Sequence, residues 1–272
     1  MLDDSELERY MRHILLHEVG GSGQQKLKDA RVLVIGAGGL GAPVLLYLAA
    51  AGVGCLGIVD DDTVALSNLQ RQIIHKTSNV DKEKTLSARE TLKEINPHVK
   101  TVLHNCRITG DNAMSILADY DIVVDGSDNF ATRYLMNDAC YFARKPLVSA
   151  AVGQFDGQIT TFRAYDTDGE GNPNPNYRCL YPQAPPPGSV PSCEEAGIIG
   201  ALTGILGTLQ AMEVLKEILG IGESLVGRLL LFDALATRWQ PVSYKWDETN
   251  ALSGLNPTIL DLSIHEKPQN TP

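Results

Sequence analysis

The chain has 272 residues, enough for one large domain or two small ones around a fully buried core. Hydrophobic residues make up 43% and charged ones 21%, ordinary globular usage that excludes disorder over most of the length. Twenty-three Lys and Arg against 33 Asp and Glu leave a net charge of −10, which excludes a sequence-independent grip on nucleic acid, so any bound anion needs a local cationic cluster.

Ser5 followed by Glu8 fits a capping box that opens an N-terminal helix running to about Val19, with Gly20-Gly21-Ser22-Gly23 ending it. This arm lacks the basic and apolar regions of a signal peptide, so the cytoplasm is the expected compartment. Residues 32–59 carry no charge, but seven glycines interrupt them. The run therefore reads as a strand at 32–35, a glycine turn, a helix at 40–51 and a strand at 55–59, and no membrane span is expected.

Downstream, the pattern predicts a helix over 82–95 closed by Asn96-Pro97, a strand near 101–103, a helix over 111–118 and a strand at 121–125. A helix over 129–143 and a strand over 146–152 follow. Strands alternating with helices imply right-handed crossovers, hence an α/β fold with a Rossmann-like, doubly wound, mostly parallel sheet. Residues 154–164 and 228–246 alternate with period two and predict antiparallel C-terminal strands.

Seven of the 14 prolines fall between 173 and 191, which predicts an extended, exposed loop, and Ser192 with Glu195 is spaced to cap a long helix. The expected organisation is a single domain over 1–272. It has a nucleotide-binding core at about 30–164, a flexible Pro-rich loop at about 166–192, and a C-terminal helix and strands at about 193–246. Five scattered cysteines, an odd number, argue against a disulfide framework.

Gly36, Gly38, Gly39 and Gly41 lie in Gly36-Ala37-Gly38-Gly39-Leu40-Gly41, a G-x-G run; after a strand and before a helix it matches the dinucleotide fingerprint, with Asp60 ending the next strand. Glycines let backbone N–H groups approach a phosphate at a helix N-terminus, and the Asp60 carboxylate can accept from ribose hydroxyls. No Gly-Lys dipeptide exists, so a Walker-type loop is absent. Asn68, Arg71 and Gln72, spaced to share one side of a short helix, join Lys84 as a set able to neutralise a triphosphate; the alternative is a solvated helix face. Asp125-Gly126-Ser127-Asp128-Asn129 follows a parallel strand, where ligands bind in open α/β sheets. Asp128 is a candidate Mg²⁺ ligand or the N-cap of the next helix, and Arg133 is placed to orient the loop.

Together with Arg9-Tyr10-Met11-Arg12, these stretches resemble the MoeB/ThiF/HesA family of ubiquitin-activating-enzyme-like adenylyltransferases from about Leu7 to about Trp246. The resemblance implies an enzyme that binds ATP and Mg²⁺ and adenylates the C-terminal glycine of a ubiquitin-like sulfur-carrier protein ending in Gly-Gly, releasing pyrophosphate. It places the ribose on Asp60, the phosphates on Asn68, Arg71, Gln72 and Lys84, and Mg²⁺ on Asp128. Arg12 corresponds to an arginine that reaches the ATP of the other subunit, which implies a homodimer; on an amphipathic arm it reads equally as a surface residue.

The chain also departs from the family. Many members hold zinc with two C-x-x-C pairs, but here the first reads Asn176-Tyr177-Arg178-Cys179 and no cysteine follows Cys193, so no zinc site is expected. Cys193, at a helix start, matches a cysteine that forms a sulfur-linked adduct in the thiamine-related branch; Glu194 and Glu195 disfavour its thiolate, and the plain alternative is a small residue at a helix end. His13 and Asp81 replace a common Gln and Gly. Only 26 residues follow Trp246, too few for a sulfurtransferase domain, so a separate sulfur donor is expected. An NAD(P)-dependent oxidoreductase is the rival reading, and it leaves Asn68, Arg71, Lys84 and Asp128 unexplained. A non-catalytic nucleotide-binding scaffold is suggested by the missing zinc ligands and opposed by the intact ATP-site residues.

Overall fold

A computed structural model describes residues 1–186 and 197–265. Its centre is one eight-stranded sheet in the order β3-β2-β1-β4-β5-β6-β7-β8. The parallel part comprises β1 (Arg31–Ile35), β2 (Cys55–Val59), β3 (Lys100–His104), β4 (Ile122–Asp125) and β5 (Leu147–Val152). The antiparallel strands β6 (Asp156–Phe162), β7 (Arg228–Asp233) and β8 (Arg238–Ser243) then extend the same sheet, as the period-two pattern predicts.

Alternation within β1 explains how both faces are filled. Val32 and Val34 enter one core with Leu45, Leu48, Ile58, Leu92 and Leu206, whereas Leu33 and Ile35 enter the other with Leu117, Tyr120, Leu135 and Met136. The first core is closed by α4 (Gly41–Ala51), α5 (Lys84–Ile95) and a long C-terminal helix, and the second by α6 (Gly110–Leu117) and α7 (Phe130–Ala143). α4 is apolar all round because it is sandwiched between the sheet and that long helix. The β1–β4 adjacency places the switch in strand order at the ends of β1 and β4, where a crevice opens.

The N-terminal arm differs from its sequence reading. α1 (Asp4–Arg9) is capped by Asp3, whose side chain accepts from Glu6 N at 2.9 Å while Glu6 accepts from Asp3 N, so the box is Asp3/Glu6 and not Ser5/Glu8. Glu6 also takes the Lys28 ammonium at 2.6 Å, and this tertiary bond decides the register. After α2 (Met11–Ile14), the glycine run opens α3 (Gly20–Asp29) instead of ending a helix. Gly23 lets α3 pack against the long helix, where Leu219 comes within 3.0 Å of its Cβ position, and packing overrides weak helix propensity. Tyr10 anchors the arm: its buried hydroxyl accepts from Asn96 Nδ2 at 2.7 Å.

The Pro-rich segment is a second correction, since its first part is docked and not exposed. α8 (Tyr177–Leu180) sits against α7, with Asn174, Asn176, Tyr177 and Arg178 buried. α9, the long C-terminal helix, is described from Gly200 to Leu219. The expected Ser192/Glu195 cap and Cys193 lie outside the described residues.

Candidate active site

A cavity of about 300 Å³ opens at the carboxyl ends of β1, β2 and β4. Five segments converge on it: the glycine loop, Asp60 to Asp62, Arg71 with Gln72, Lys84, and the stretch from Gly126 to Arg133. Two further segments close it, Cys106 to Ile108 after β3, and Ile198 with Thr203 at the start of α9.

Close approach dictates the glycine loop. Gly36 has φ of +88°, and a Cβ on Gly41 would overlap the Gly36 carbonyl oxygen, so only glycine permits this turn into α4. Gly36, Gly38 and Gly39 line the cavity, whereas Gly41 serves the turn behind them. The Asp60 carboxylate accepts from Ala37 N at 2.8 Å and from Asp62 N at 3.0 Å, which ties β2 to the loop. Burial raises its pKa above the usual carboxylate value, with Lys84 and these N–H donors opposing.

Lys84, the first residue of α5, is buried, and its ammonium meets Asp62 at 2.8 Å. Asp62 itself is 68% exposed, so solvent or a competing anion can displace it from Lys84. Arg71 donates to Ser67 O at 3.1 Å. Gln72 is buried, and its Oε1 has no protein partner, an orphaned acceptor on a cavity wall.

The shared helix face predicted for Asn68, Arg71 and Gln72 is not present, because the helix there is a single 3-10 turn, Leu66–Asn68. Arg71 and Gln72 reach the cavity wall. Asn68 sits behind them, buried, with Oδ1 accepting from Ala65 N at 3.2 Å. Asp128 faces the cavity as an exposed carboxylate. It is not the cap of α7, for Asn129 takes that role by accepting from Thr132 N at 2.9 Å. Asp128 is thereby left available to a ligand. Arg133 orients the loop as expected, donating to Ser127 O at 3.1 Å. Arg12 lies exposed on α2, outside the cavity lining of its own chain.

Below the loop, His75, Ser87 and Asn79 form a buried polar chain absent from the sequence reading. The only available signal was that His75 falls three residues after Gln72.

A glycine-rich turn at a helix start, a ribose-type carboxylate, two cations and an exposed carboxylate suit a nucleotide polyphosphate. The ThiF family model matches residues 10–252. The chain belongs to the ThiF family. A sulfur carrier protein adenylyltransferase of Thermus thermophilus is 48% identical over 261 residues, 96% of each chain. The probable adenylyltransferase/sulfurtransferase MoeZ of Mycobacterium tuberculosis is 47% identical over 98% of this chain and 66% of its own length. The adenylyltransferase and sulfurtransferase MOCS3 of Culex quinquefasciatus is 46% identical over 98% of this chain and 59% of its own. E. coli MccB, solved with ATP, shares the fold with a TM-score of 0.77 at 21% identity, over 90% of this chain and 74% of that one. This ThiF-family chain is an adenylyltransferase, and the oxidoreductase reading has no support.

The residues do not fit the family's tetrathiolate zinc. Asn176 spends its amide on Arg178 N at 2.8 Å, Ser253 Oγ at 2.8 Å and Asn250 Nδ2 at 3.1 Å, and Asn250 also donates to Cys179 Sγ at 3.1 Å. One thiol among amides and a hydroxyl is not a zinc donor set. No helix among the described residues is long and apolar enough to cross a membrane.

Proposed function

We propose that this protein activates the C-terminal glycine of a ubiquitin-like sulfur carrier ending in Gly-Gly, using ATP, for molybdopterin, thiamine or related sulfur transfer. The carrying observation is the convergence of Gly36, Gly38, Gly39, Asp60, Arg71, Gln72, Lys84 and Asp128 on one cavity, in a chain similar over 96% of its length to a sulfur carrier protein adenylyltransferase.

In this reading a carrier carboxylate oxygen attacks the α-phosphorus. The new O–P bond forms as the bond to the bridging oxygen breaks, giving an acyl-adenylate and pyrophosphate. Two anions must meet, so the barrier is mainly electrostatic. Lys84 exchanges Asp62 for phosphate oxygens, Arg71 adds a second cation, and Gln72 and the loop N–H groups fix the polyphosphate. Asp60 holds the ribose. Asn68 supports this wall from behind, through the turn it closes. Asp128 would hold the Mg²⁺ that accompanies ATP, and the ion would supply positive charge against the phosphates. No side-chain nucleophile is needed for this step, and Cys193 belongs, if it reacts, to a later sulfur step.

The homodimer is part of the same proposal. Arg12 is exposed beside Met11, Leu15 and Leu16, three exposed apolar side chains that a second copy would cover while receiving Arg12 into its own cavity. Cys55, Cys106, Cys140 and Cys179 are free thiols, in keeping with a reducing cytoplasm.

ATP:pyrophosphate exchange with purified protein, Mg²⁺ and carriers ending in Gly-Gly tests the reading. Exchange should depend on one carrier and vanish in Asp128→Ala with the fold intact; near-normal turnover in that variant would sink the assignment. Mixing Arg12→Ala with Asp128→Ala should restore activity by subunit exchange, and no rescue despite exchange would remove the trans role.

A further inference from the structure

His75 is buried and both of its ring nitrogens are engaged. Nε2 lies 2.9 Å from the Ala37 carbonyl oxygen of the glycine loop, and Nδ1 lies 2.9 Å from Ser87 Oγ on α5. A carbonyl can only accept, so Nε2 carries the proton. In the neutral ring Nδ1 is then an acceptor, which Ser87 satisfies by donating its hydroxyl hydrogen. The Ser87 oxygen in turn accepts from Asn79 Nδ2 at 2.9 Å. Every donor in this chain has an acceptor, and the chain closes only with a neutral, Nε2-protonated ring.

The consequence for the cavity follows from peptide geometry. In a planar trans peptide the C=O and N–H point in opposite directions. The Ala37 carbonyl belongs to the peptide whose N–H is that of Gly38, and Gly38 lines the cavity. Holding Ala37 O on the protein side therefore aims the Gly38 N–H toward the opposite side. Asp60 fixes the preceding N–H, that of Ala37, so the peptides on both sides of Ala37 are clamped. Ser87 stands three residues after Lys84 on α5, so the same imidazole ties the phosphate-facing turn to the helix that presents the ammonium.

We propose that His75 is a positioning residue that sets the glycine loop in register with Lys84 and, by staying neutral, keeps the Gly38 N–H directed at the bound polyphosphate. This inference rests on the nucleotide reading of the cavity. Protonation would place a second donor at Nδ1 against Ser87 and Asn79, force the hydroxyl to find another acceptor, and add a charge to a site that already holds Lys84. The other charged groups packed nearby are the Glu90 carboxylate, which accepts from Asn79, and Lys82, which pairs with Glu90. Burial lowers the His75 pKa below its usual value of 6.5, with Lys84 acting in the same direction and the Ala37 carbonyl opposing. The sign is that of a group neutral when folded: its contribution is complete above pH 6.5 and is lost as the pH falls through the depressed folded value.

The test is calorimetric binding of ATP with Mg²⁺ to the full-length protein between pH 5 and pH 8.5, which requires no carrier. His75→Leu should weaken ATP binding about tenfold at pH 7.5, the worth of one neutral hydrogen bond. His75→Gln, whose amide can still donate to Ala37 O but cannot titrate, should bind within about threefold of wild type at pH 7.5, since it keeps that bond. It should also lack the loss of affinity expected of wild type as the pH falls through the depressed His75 value. Ser87→Ala removes the Nδ1 partner without touching the loop, and should move the acid limb of ATP affinity to a different pH. Wild-type affinity in His75→Leu, or an acid limb that persists in His75→Gln, would overturn the positioning role. Failure of the wild-type protein to bind ATP at any pH would instead overturn the nucleotide reading, and this inference with it.

Discussion

The cavity at the strand ends and the clasp around α8 are both rich in polar side chains, yet they are finished in opposite ways. In the cavity Lys84 is held by a largely exposed Asp62, Gln72 Oε1 is buried without a protein partner, and Asp128 leaves the capping of α7 to Asn129. In the clasp every group is answered from within. Asp138, fully buried, takes two bonds from Arg178 at 2.9 and 2.6 Å and a third from His265 at 2.8 Å, while Asn176, Asn250, Cys179 and Ser253 bond to one another. Incomplete satisfaction marks the region that waits for a ligand, and saturation marks the region that only holds the chain together. This polar knot ties the segment after β8 to α8.

The comparison is broken if a cavity substitution acts through stability or a clasp substitution through chemistry. Lys84→Ala should lower kcat/KM for ATP in the exchange assay about a hundredfold or more, as expected for one removed cation at a transferring phosphate. Its melting temperature should stay close to wild type. Asp138→Ala should cost about 3 kcal/mol, because it strands a buried guanidinium, and ATP affinity of the folded fraction should be unchanged. Urea titration at two pH values checks this. Burial alone would raise the Asp138 pKa, but the bonds from Arg178 and His265 carry it below its usual value of 3.8. Its contribution is thus present above pH 3.8 and lost as the pH falls through the lower folded value, so the gap between wild type and variant should narrow in strong acid.

Asn250→Ala should cost about 1 to 2 kcal/mol, since it leaves the Asn176 oxygen and the backbone N–H groups of Leu252 and Ser253 short of a partner. The smallest effect belongs to the turn that precedes Lys84. Asp81 has φ of +70°, so Asp81→Gly should raise stability by about 0.5 kcal/mol in thermal unfolding. A loss instead would show that the Asp81 side chain makes a contribution larger than its backbone strain.

Much of the cavity was legible in linear order because its chemistry depends on backbone constraints that leave local marks. Gly36 and Gly41 cannot carry a Cβ, Asp60 must directly follow β2 to reach Ala37 N, and Asp128 must follow β4. The arm differs from its local reading where long-range packing outweighs local propensity: Lys28 selects Glu6 for the cap, and Leu219 packs over Gly23 of α3. His75 was invisible because its partners, Ala37 and Ser87, lie 38 and 12 residues away and no local pattern connects them.

By itself the sequence determined the doubly wound order of strands and helices, the phosphate-facing turn and the absence of a four-thiolate set, since each follows from residue type and spacing along the chain. Only the tertiary structure decided that Arg71 and Gln72 reach the cavity while Asn68 stays behind it, that Asn129 and not Asp128 caps α7, and that Asn176 meets Asn250 and Ser253. The physical reason is that a hydrogen bond between distant residues is fixed by how helices pack on the sheet, and nothing in the spacing of its two partners records it.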